Sequence, residues 1–406
     1  EMILSPSNLN EAYRQVKRNK GSGGVDEMRV ESLKDYLTVN KDELTMSILR
    51  GKYHPNPVRR VEIPKENGNK RQLGIPTVVD RVIQQAISQV LTRIYEPQFS
   101  PYSYGFRPRR NAHQALRKCQ EYITEGYGQA VDMDLEKFFD TVSHSKLIEV
   151  LSRTVKDGRV ISLVHKYLNA GVMRDGRFEP SETGVPQGGP LSPLLSNIML
   201  NELDRELDRR GHKFVRYADD MVILCKSKRS AQRTLANILP YIEGKLFLRV
   251  NREKTSVSPI SKIKFLGYSF YKVNGEGRLR VHSKTISRMK ANLKKLTSRS
   301  NGWGNEKRKE ALRWVNYFKL ADMNKLLVKI DEWYRRRLRM AIWKQWKLIR
   351  TRLANLSKLG VEKPKAWEWA NTRKGYWHVA NSFILTTTIT NERLRQTGYM
   401  FLTDYY

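Results

Sequence analysis

Two short apolar runs flank a pair of adjacent acidic residues in the second half of the chain. Residues 214–217 lead into Ala218-Asp219-Asp220, and residues 221–225 lead out of it. Apolar runs of this length predict buried strands, so we expect a hairpin with both carboxylates at its mouth. Two like charges side by side are costly unless a cation joins them, and a pair of divalent metals is the usual solution. A solvated Asp-Asp turn is the simpler interpretation of the dipeptide taken alone.

An upstream segment predicts a second acidic strand. Apolar and acidic residues alternate over residues 130–135, which would place Asp132 and Asp134 on one face of a strand. This periodicity does not choose between the two aspartates. Carboxylates from separate strands that hold two metal ions are the apparatus for in-line displacement at phosphorus. The pattern therefore predicts a two-metal phosphoryl-transfer site.

A basic hairpin is predicted nearer the N-terminus. Strands over residues 59–65 and 70–77 flank Asn67-Gly68, a pair typical of a tight hairpin turn. Lys65 and Arg71 would make this hairpin a basic flap on an incoming triphosphate, since such cations stabilise charge on a transferring phosphoryl group. A charged, exposed hairpin without a ligand is the alternative.

A loop rich in Gly and Pro over residues 183–193 leads into a predicted helix. Ser192 is the expected N-cap and Pro193 the first helical residue, and the helix should end before Gly211. A loop without a ligand is the alternative here. A second packed helix is predicted over residues 77–96 from its apolar spacing.

The composition and the predicted secondary structure change twice along the chain, and these changes predict its domain organisation. The first part predicts a helix, a Gly-rich loop and a second helix, and a long α+β region follows. Residues 305–359 contain no Gly or Pro, which predicts long helices. We divide the chain into an N-terminal extension over 1–50, an α+β domain over 51–275, a helical domain over 276–355 and a small C-terminal region over 356–406.

The charge balance narrows the class of partner. The 406-residue chain carries a formal charge of +34, which points to a polyanion such as nucleic acid. No run of about 18 apolar residues predicts a membrane helix, so no membrane partner is expected. Cys119 and Cys225 belong to no Cys/His cluster, which argues against a zinc module or a disulfide framework and fits a reducing cytosol.

The basic excess is concentrated in residues 284–352, where 21 Lys and Arg stand against 5 Asp and Glu. A helical domain this basic is expected to lie along a phosphate backbone, although a solvated face is the alternative for its arginine run. Tryptophans interleaved with Arg and Lys near the C-terminus suggest a small DNA-contact region. The candidate nucleic-acid contacts are Arg335, Arg336, Arg337, Arg339, Lys344, Lys347, Arg373 and Lys374.

The two acidic segments resemble catalytic motifs of reverse transcriptases. Residues 134–140 (Asp-Leu-Glu-Lys-Phe-Phe-Asp) resemble the first motif, and residues 217–220 (Tyr-Ala-Asp-Asp) resemble the second. The family's aromatic sugar-gate residue follows its catalytic aspartate by five positions, and Phe139 fits only Asp134. The resemblance implies that Asp134, Asp219 and Asp220 are catalytic and hold two Mg²⁺ ions. It also implies that Phe139 crowds a ribose 2′-hydroxyl and favours deoxynucleotides, with an ordinary core phenylalanine as the alternative.

Further segments resemble the substrate-binding parts of the same family. Gln187, in the Gly/Pro-rich loop, would contact the nascent base pair. Lys254 lies in a segment that resembles a later polymerase motif and is a candidate to protonate the leaving pyrophosphate, with an ordinary exposed lysine as the alternative. The segment that resembles the primer-grip hairpin contains Phe265, Leu266, Gly267 and Tyr268.

Taken together, the motifs resemble a bacterial group II intron-encoded reverse transcriptase and maturase of the class C type, without an endonuclease module. The supporting segments are residues 19–21, 24–26, 74–77, 80–81, 104–108, 186–189 and 314–318. This resemblance implies a right-hand polymerase fold, with fingers and palm built from an antiparallel sheet and helices, followed by a helical thumb or maturase domain. It implies as partners the intron RNA, an RNA template with a DNA primer, target DNA and deoxynucleoside triphosphates. Such a protein is expected in the bacterial cytoplasm, at the nucleoid.

Three functions follow from these expectations. The first is an RNA-directed DNA polymerase that binds its intron RNA, assists splicing and copies the intron into DNA during retrohoming. The second is an RNA-binding splicing cofactor whose polymerase site is vestigial, against which the intact acidic triad argues. The third is a reverse transcriptase domesticated for defence or repair, a role that would be decided by gene context.

Overall fold

A computed structural model describes residues 1–64, 70–298 and 305–406. It forms two compact units, Glu1–Leu266 and Gly267–Tyr406. The boundary between them falls inside the segment predicted as a primer grip. The four-part division made from the sequence stays a prediction, while the mixture of helices and strands agrees with the predicted α+β class.

The first unit mixes helices with two four-stranded sheets. Its helices are α1 (Pro6–Asn19), α2 (Leu33–Leu49), α3 (Val78–Tyr95), α4 (Ala112–Thr124), α5 (Phe138–Thr141), α6 (His144–Thr154), α7 (Gly158–Leu168), α8 (Ser192–Arg209) and α9 (Lys228–Gly244). Its strands are β1 (Val58–Pro64), β2 (Lys70–Ile75), β3 (Gln129–Met133), β4 (Val172–Arg174), β5 (Arg177–Glu179), β6 (Lys213–Tyr217), β7 (Asp220–Cys225) and β8 (Ser256–Pro259).

The two sheets differ in how their strands pair. One has the order β6-β7-β3-β8, and each of its neighbouring pairs is antiparallel. The other has the order β2-β1-β4-β5, in which β1 and β4 run parallel. The predicted basic hairpin is β1 and β2, paired antiparallel from Arg59↔Ile75 to Pro64↔Lys70. The predicted turn at Asn67-Gly68 lies outside the described residues.

The two faces of the β6-β7-β3-β8 sheet have different roles. Val131, Met133, Phe214, Met221 and Ile223 point to one side, where they join the main core with α6 and α8. Alternation along each strand therefore turns the neighbouring positions to the opposite face. That opposite face carries the acidic residues of β3 and β7.

The helix after the Gly/Pro-rich loop begins one residue earlier than expected. Ser192 is the first residue of α8 rather than its N-cap, and its hydroxyl donates to the Pro186 carbonyl oxygen at 2.5 Å. This hydrogen bond closes the loop onto the helix. At the other end, α8 finishes at Arg209, and Gly211 follows with φ +73°, as predicted.

The second unit begins with the antiparallel pair β9 (Tyr268–Val273) and β10 (Glu276–Val281). Its helices are α10 (Ser283–Leu296), α11 (Asn305–Leu312), α12 (Trp314–Phe318), α13 (Asn324–Gln345), α14 (Ile349–Lys358), α15 (Lys363–Ala370), α16 (Tyr376–Val379), α17 (Phe383–Thr388) and α18 (Asn391–Gln396). No helix within the described ranges has both the length and the apolarity that a membrane span requires.

The long helices predicted over residues 305–359 are only partly present. The 22-residue α13 is long, but α11, α12 and α14 are short. At α12, the Tyr268 hydroxyl binds the Tyr317 carbonyl oxygen, and the Phe318 ring packs on Tyr268 with centroids 4.9 Å apart. Such tertiary contacts shape helix ends in ways that the absence of Gly and Pro does not reveal.

Candidate active site

The register of the β3–β7 pair brings the predicted acidic residues to one end of the sheet. The ladder pairs Asp132 with Val222 and ends at Met133↔Met221. Asp134 and Asp220 occupy the next position on each strand. Residues directly opposite on antiparallel strands share a face. The pairing therefore gathers Asp132, Asp134 and Asp220 on one face, next to the β6–β7 turn that holds Asp219.

Mutual repulsion marks this group of carboxylates. The pKa of Asp220 is raised to about 7, first by loss of solvation and then by the charges of Asp132, Asp219 and Asp134. Burial and the neighbouring Asp134 raise the pKa of Asp132 to about 6. The Asp220 side chain is nevertheless exposed by its accessible area. Surrounding protein atoms therefore desolvate the carboxylate without covering it.

Asp134 already has a cationic partner. The Lys254 Nζ lies 3.2 Å from the Asp134 Oδ2. The segment that carries Lys254 runs along Asp134, because the Asn251 amide donates to the Asp134 carbonyl oxygen at 2.9 Å and the Asp134 amide donates to the Thr255 Oγ1 at 3.2 Å. The predicted general acid is therefore held beside a predicted metal ligand.

The carboxylates meet without forming a closed coordination cage. Among residues 1–64, 70–298 and 305–406, no three acidic, histidine or cysteine side chains stand close enough together to hold a metal ion. The donor set still fits a hard divalent cation, because carboxylate oxygens are the ligands that Mg²⁺ prefers. A dication would also offset the loss of solvation and the carboxylate repulsion that together raise the pKa of Asp220.

The acidic turn between β6 and β7 is tight and supported from below. Tyr217 pairs with Asp220, so Ala218 and Asp219 form a two-residue loop, and Ala218 has φ +58°. Gly105 packs directly under this loop: a Cβ there would lie 2.2 Å from the Ala218 nitrogen. Only glycine allows this approach, which explains the Gly in the Tyr104–Pro108 motif.

A buried ion pair anchors the same turn from the core side. Arg216 and Asp204 are both fully buried, and the Arg216 Nη2 lies 2.6 Å from the Asp204 Oδ2. The Arg216 Nη1 also donates to the Ala218 carbonyl oxygen at 2.8 Å and to the Asn197 Oδ1 at 2.9 Å. The Asn197 Nδ2 in turn donates to the Gly105 carbonyl oxygen at 2.9 Å. One guanidinium therefore ties the acidic turn to α8.

Sequence reasoning missed this ion pair. The sequence pattern places Arg216 in a predicted apolar strand, and Asp204 and Asn197 in a predicted helix. The available signal was an arginine inside a run that otherwise predicts a buried strand. Buried charges need partners, and an Asp and an Asn at buried positions of the preceding helix could supply them.

Three predicted substrate-binding residues lie around one cavity. A cavity of about 230 Å³ is lined by Phe139, Gln187, Arg60, Gln72 and Lys137, among others. The Arg71 Nε donates to the Gln187 Oε1 at 2.8 Å, which brings Arg71 to the same place. Lys65, the other predicted cation of the hairpin, lies outside the described residues. Arg60, Gln72 and Lys137 were not singled out from the sequence.

The Gly/Pro-rich loop is fixed against the helix that carries Phe139. The Val185 amide donates to the Phe139 carbonyl oxygen at 2.6 Å, and the Gly184 amide donates to the Val142 carbonyl oxygen at 2.8 Å. Gly184 leaves no room for a side chain, since a Cβ would lie 2.8 Å from the Phe139 oxygen. Phe138 and Phe139 are both buried in the core, and Phe139 also lines the cavity. These bonds fix the cavity wall opposite Gln187.

The structure does not support a primer contact by the aromatic side chains of the predicted grip. Phe265 is fully buried in the first unit, and Tyr268 is fully buried in the second. Both are apolar core positions, so they cannot touch a strand in solvent. Leu266 and Gly267 are only partly buried, both with positive φ, and a primer contact at this segment is left to them.

The arginines of α13 mostly contact other segments of the second unit. Arg339 is buried, and burial lowers its pKa. Its Nε donates to the Ile389 carbonyl oxygen at 2.8 Å, so this side chain does not reach a nucleic acid in solvent, in contrast to the prediction. The Arg337 Nε donates to the Thr297 Oγ1 at 2.6 Å. The Arg336 Nη2 donates to the Trp377 carbonyl oxygen at 2.9 Å while its guanidinium stacks on that ring. The Arg335 guanidinium lies 5.3 Å from the Phe401 ring centroid.

Other predicted contacts keep their access to solvent. Lys347, Arg373 and Lys374 are exposed, and Lys344 is partly buried. The Trp367 and Trp377 side chains are exposed near the same Arg-Lys pair in sequence. The arginine run of α13 is therefore largely engaged in contacts within the second unit, whereas Lys347, Arg373 and Lys374, which follow it, have exposed side chains.

Comparison with known proteins gives two consecutive matches. The family described as reverse transcriptase (RNA-dependent DNA polymerase) matches residues 63–270. The group II intron, maturase-specific domain matches residues 286–360. The first match contains all the acidic residues described above and covers about half of the chain.

Curated relatives agree with these matches. Protein YkfC of Escherichia coli K12 is 36% identical over 332 residues, which is 71% of this chain and 87% of YkfC. The group II intron-encoded protein LtrA of Lactococcus lactis is 31% identical over 358 residues, covering 70% of this chain and 58% of LtrA. A solved Cas6-RT-Cas1–Cas2 complex aligns over 60% of this chain and 42% of its own, with 22% identity and a TM-score of 0.37.

Loss of the buried guanidinium should destabilise the first unit. Arg216→Gln leaves the Asp204 charge buried without its partner, which should lower the free energy of unfolding by about 3–5 kcal/mol. Chemical denaturation followed by far-UV circular dichroism, with hydrogen exchange of the amides of the first unit measured beside it, reports this change. Arg159→Gln removes an exposed ion pair with Asp157 and should cost less than about 1 kcal/mol. Equal effects of the two variants would contradict the anchoring role.

Removing the charge of Asp220 should stabilise the metal-free protein at alkaline pH. The folded pKa of Asp220, about 7, exceeds the ordinary Asp value of about 3.9, so the folded state favours the protonated carboxyl. The contribution of Asp220 to the free energy of unfolding is therefore complete below pH ~4 and is lost as the pH rises through 7. Asp220→Asn should therefore raise Tm in EDTA at pH 8, by a few degrees at most because solvent screens an exposed group. The gain should shrink towards pH 5.

Differential scanning fluorimetry at both pH values makes this comparison, with the exposed Asp42→Asn as the control for loss of one negative charge. A gain at pH 8 that persists unchanged at pH 5, or that Asp42→Asn reproduces, would show that repulsion at Asp220 is not the cause.

Proposed function

Because the chain belongs to the family of group II intron-encoded reverse transcriptases and maturases, we propose that it copies intron RNA into DNA by two-metal nucleotidyl transfer. The chain would bind its intron RNA, assist splicing and extend a DNA primer at the target site during retrohoming. The observation that carries the proposal is the convergence of Asp134 and Asp220 at the end of the β3–β7 pair, beside Asp219.

In this mechanism the carboxylates are the ligands of the catalytic metals. Asp134, Asp219 and Asp220 would hold two Mg²⁺ ions, which when bound lower the pKa of a primer 3′-hydroxyl and stabilise leaving pyrophosphate. The chain itself supplies the rest. Lys254, beside Asp134 at 3.2 Å, can deliver a proton to the leaving group. Arg216 holds the Asp219–Asp220 turn in position from the core.

The cavity beside α5 is the proposed site of the incoming deoxynucleotide. Arg60, Lys137 and the nearby Arg71 would face its phosphates, and cations there stabilise charge that develops during phosphoryl transfer. Gln187 would contact the new base pair. Phe139 forms part of the wall, where it would exclude a ribose 2′-hydroxyl.

The second unit is the proposed RNA- and DNA-contact region. It contains the maturase-specific match and the exposed Lys347, Arg373 and Lys374. Exposed cations bind phosphates without reading bases, so they support affinity for intron RNA and target DNA rather than sequence choice.

Loss of one central carboxylate should abolish synthesis but not binding. With Asp219→Ala, extension of a DNA primer on an RNA template in Mg²⁺ should fall by about 10³-fold or more, since metal-held charge contributes several kcal/mol. Gel-resolved extension measures the rate, and fluorescence anisotropy measures binding of the same template–primer. Asp175→Ala, at the exposed β4–β5 turn, is the matched control. Extension by Asp219→Ala at the wild-type rate would refute the assignment.

The same assay separates polymerase from splicing cofactor. A wild-type chain that binds RNA but extends no primer with any divalent metal would have a vestigial polymerase site. Splicing of the intron RNA in the presence of the Asp219→Ala variant then reports the RNA-binding role independently of synthesis.

Shortening Phe139 should relax the choice of sugar. Phe139→Val opens the cavity wall, so incorporation of ribonucleotides relative to deoxynucleotides should rise by about tenfold, a difference of about 1.4 kcal/mol. Phe138→Val removes the same atoms from the adjacent core position and controls for lost packing. Single-nucleotide insertion with dNTP and rNTP gives the ratio; an unchanged ratio in Phe139→Val would contradict the role of this ring.

A further inference from the structure

A second cationic cavity of the first unit lies beside α4, away from the proposed nucleotide site. It has a volume of about 790 Å³ and an open mouth, a size suited to a ligand rather than to isolated waters. Four cations line it, against two carboxylates. Its lining comes from α4 and the loop that precedes it, and includes Tyr104, Arg109, Arg110, Gln114, Arg117 and Lys118.

Both carboxylates of the cavity are already neutralised. Glu96 accepts from the Arg107 Nη2 at 2.8 Å, and Arg107 lies behind the cavity wall. Glu121 accepts from the Lys118 Nζ at 2.6 Å. The positive charge of the remaining lining residues is therefore not balanced from within the cavity.

Two of the arginines that line the cavity are available to bind a ligand. In the part of the chain that the structure describes, the guanidinium groups of Arg109 and Arg117 have neither a hydrogen-bond acceptor nor an ion-pair partner, and both side chains are exposed. Arg110 is held in place, since its Nη1 donates to the Pro101 carbonyl oxygen at 2.6 Å and its guanidinium lies 5.3 Å from the Tyr104 ring centroid. Burial and then the charge of Arg107 lower the pKa of Arg110, which is consistent with an excess of positive charge.

The cavity is connected to the acidic turn by backbone contacts. The Tyr104 amide donates to the Arg216 carbonyl oxygen at 2.9 Å, and the next residue, Gly105, supports Ala218. The helix α4 also covers the acidic face of the sheet: Lys213, which lies on that face by the β6–β7–β3 register, has its Nζ 5.5 Å from the Tyr122 ring centroid of α4. These contacts place the cavity beside the strand that leads into the acidic turn.

We propose that this cavity binds the phosphodiester backbone of a nucleic-acid strand, with Arg109 and Arg117 as its phosphate ligands. Guanidinium groups match phosphate oxygens in a two-point geometry that an ammonium cannot offer. The Gln114 amide caps α4 by accepting from the Asn111 amide at 2.9 Å, so the phosphate contacts fall to the guanidinium groups. Phosphate contacts carry no base information, so binding here would be independent of sequence. The inference rests on the proposed function, because it takes the substrate strand of that site as the ligand.

The test compares two double variants of equal charge. Arg109→Gln/Arg117→Gln removes the two free guanidinium groups, and Arg229→Gln/Arg233→Gln removes two exposed arginines of α9. The probe is an RNA–DNA template–primer with a labelled 5′ RNA overhang, and a blunt version is run beside it. Fluorescence anisotropy gives Kd at several salt concentrations.

The cavity variant should bind about tenfold more weakly at 0.1 M salt, and the slope of log Kd against log salt should fall by roughly one for each lost phosphate contact. The control variant should keep the wild-type slope. A loss seen only with the overhang assigns the cavity to the single-stranded template, and a loss with both probes assigns it to the duplex. Either result supports the proposal.

Equal Kd and slope for the two double variants would overturn the proposal and leave the cavity to another anion, such as an acidic peptide. Binding is measured without synthesis, so the result is separate from failure of the polymerase assignment, which appears as absent extension by the wild-type chain. At saturating template–primer the cavity variant should extend at the wild-type rate, whereas its KM for template–primer should rise about tenfold.

Discussion

The antiparallel pairing of β3 with β7 is the constraint on which the site depends. It forces negative charges from distant parts of the sequence onto one end of one sheet face, where they repel one another. The sheet can tolerate this only because its opposite face is a continuous apolar core. The apolar face of the strands stabilises the fold and the acidic face destabilises it, which is a common arrangement at catalytic sites.

The buried Arg216–Asp204 pair converts that pairing into a defined geometry. An ion pair of this kind seldom adds net stability compared with apolar residues of the same volume. Here the ion pair orients the acidic turn, because the Arg216 guanidinium also donates a hydrogen bond to the carbonyl oxygen of Ala218 inside that turn. Gly105 supports the same turn by close packing, so hydrogen bonding and steric fit restrict it together.

Local patterns predicted much of this structure, and the failures have physical causes. The apolar runs around Asp219-Asp220 predicted β6 and β7 correctly because a buried strand needs little context beyond its own residues. The alternation around Asp132 and Asp134 likewise predicted their shared face. Neither pattern could reveal that Arg216 and Asp204 meet, since their contact depends on how α8 packs under the sheet. The same limit applies to Phe265 and Tyr268, whose aromatic character fitted a ligand contact and a core position equally well.

The number of arginines in α13 did not predict which of them are available to bind phosphate. The arginine run of α13 predicted a phosphate-binding face, but Arg336, Arg337 and Arg339 are used to hold neighbouring segments. An arginine bound to a carbonyl oxygen nevertheless keeps its positive charge. At physiological salt its field still extends over a Debye length of about 8 Å. These guanidinium groups can therefore speed the diffusional encounter with a polyanion while adding little to the lifetime of the complex, a division between association and dissociation kinetics.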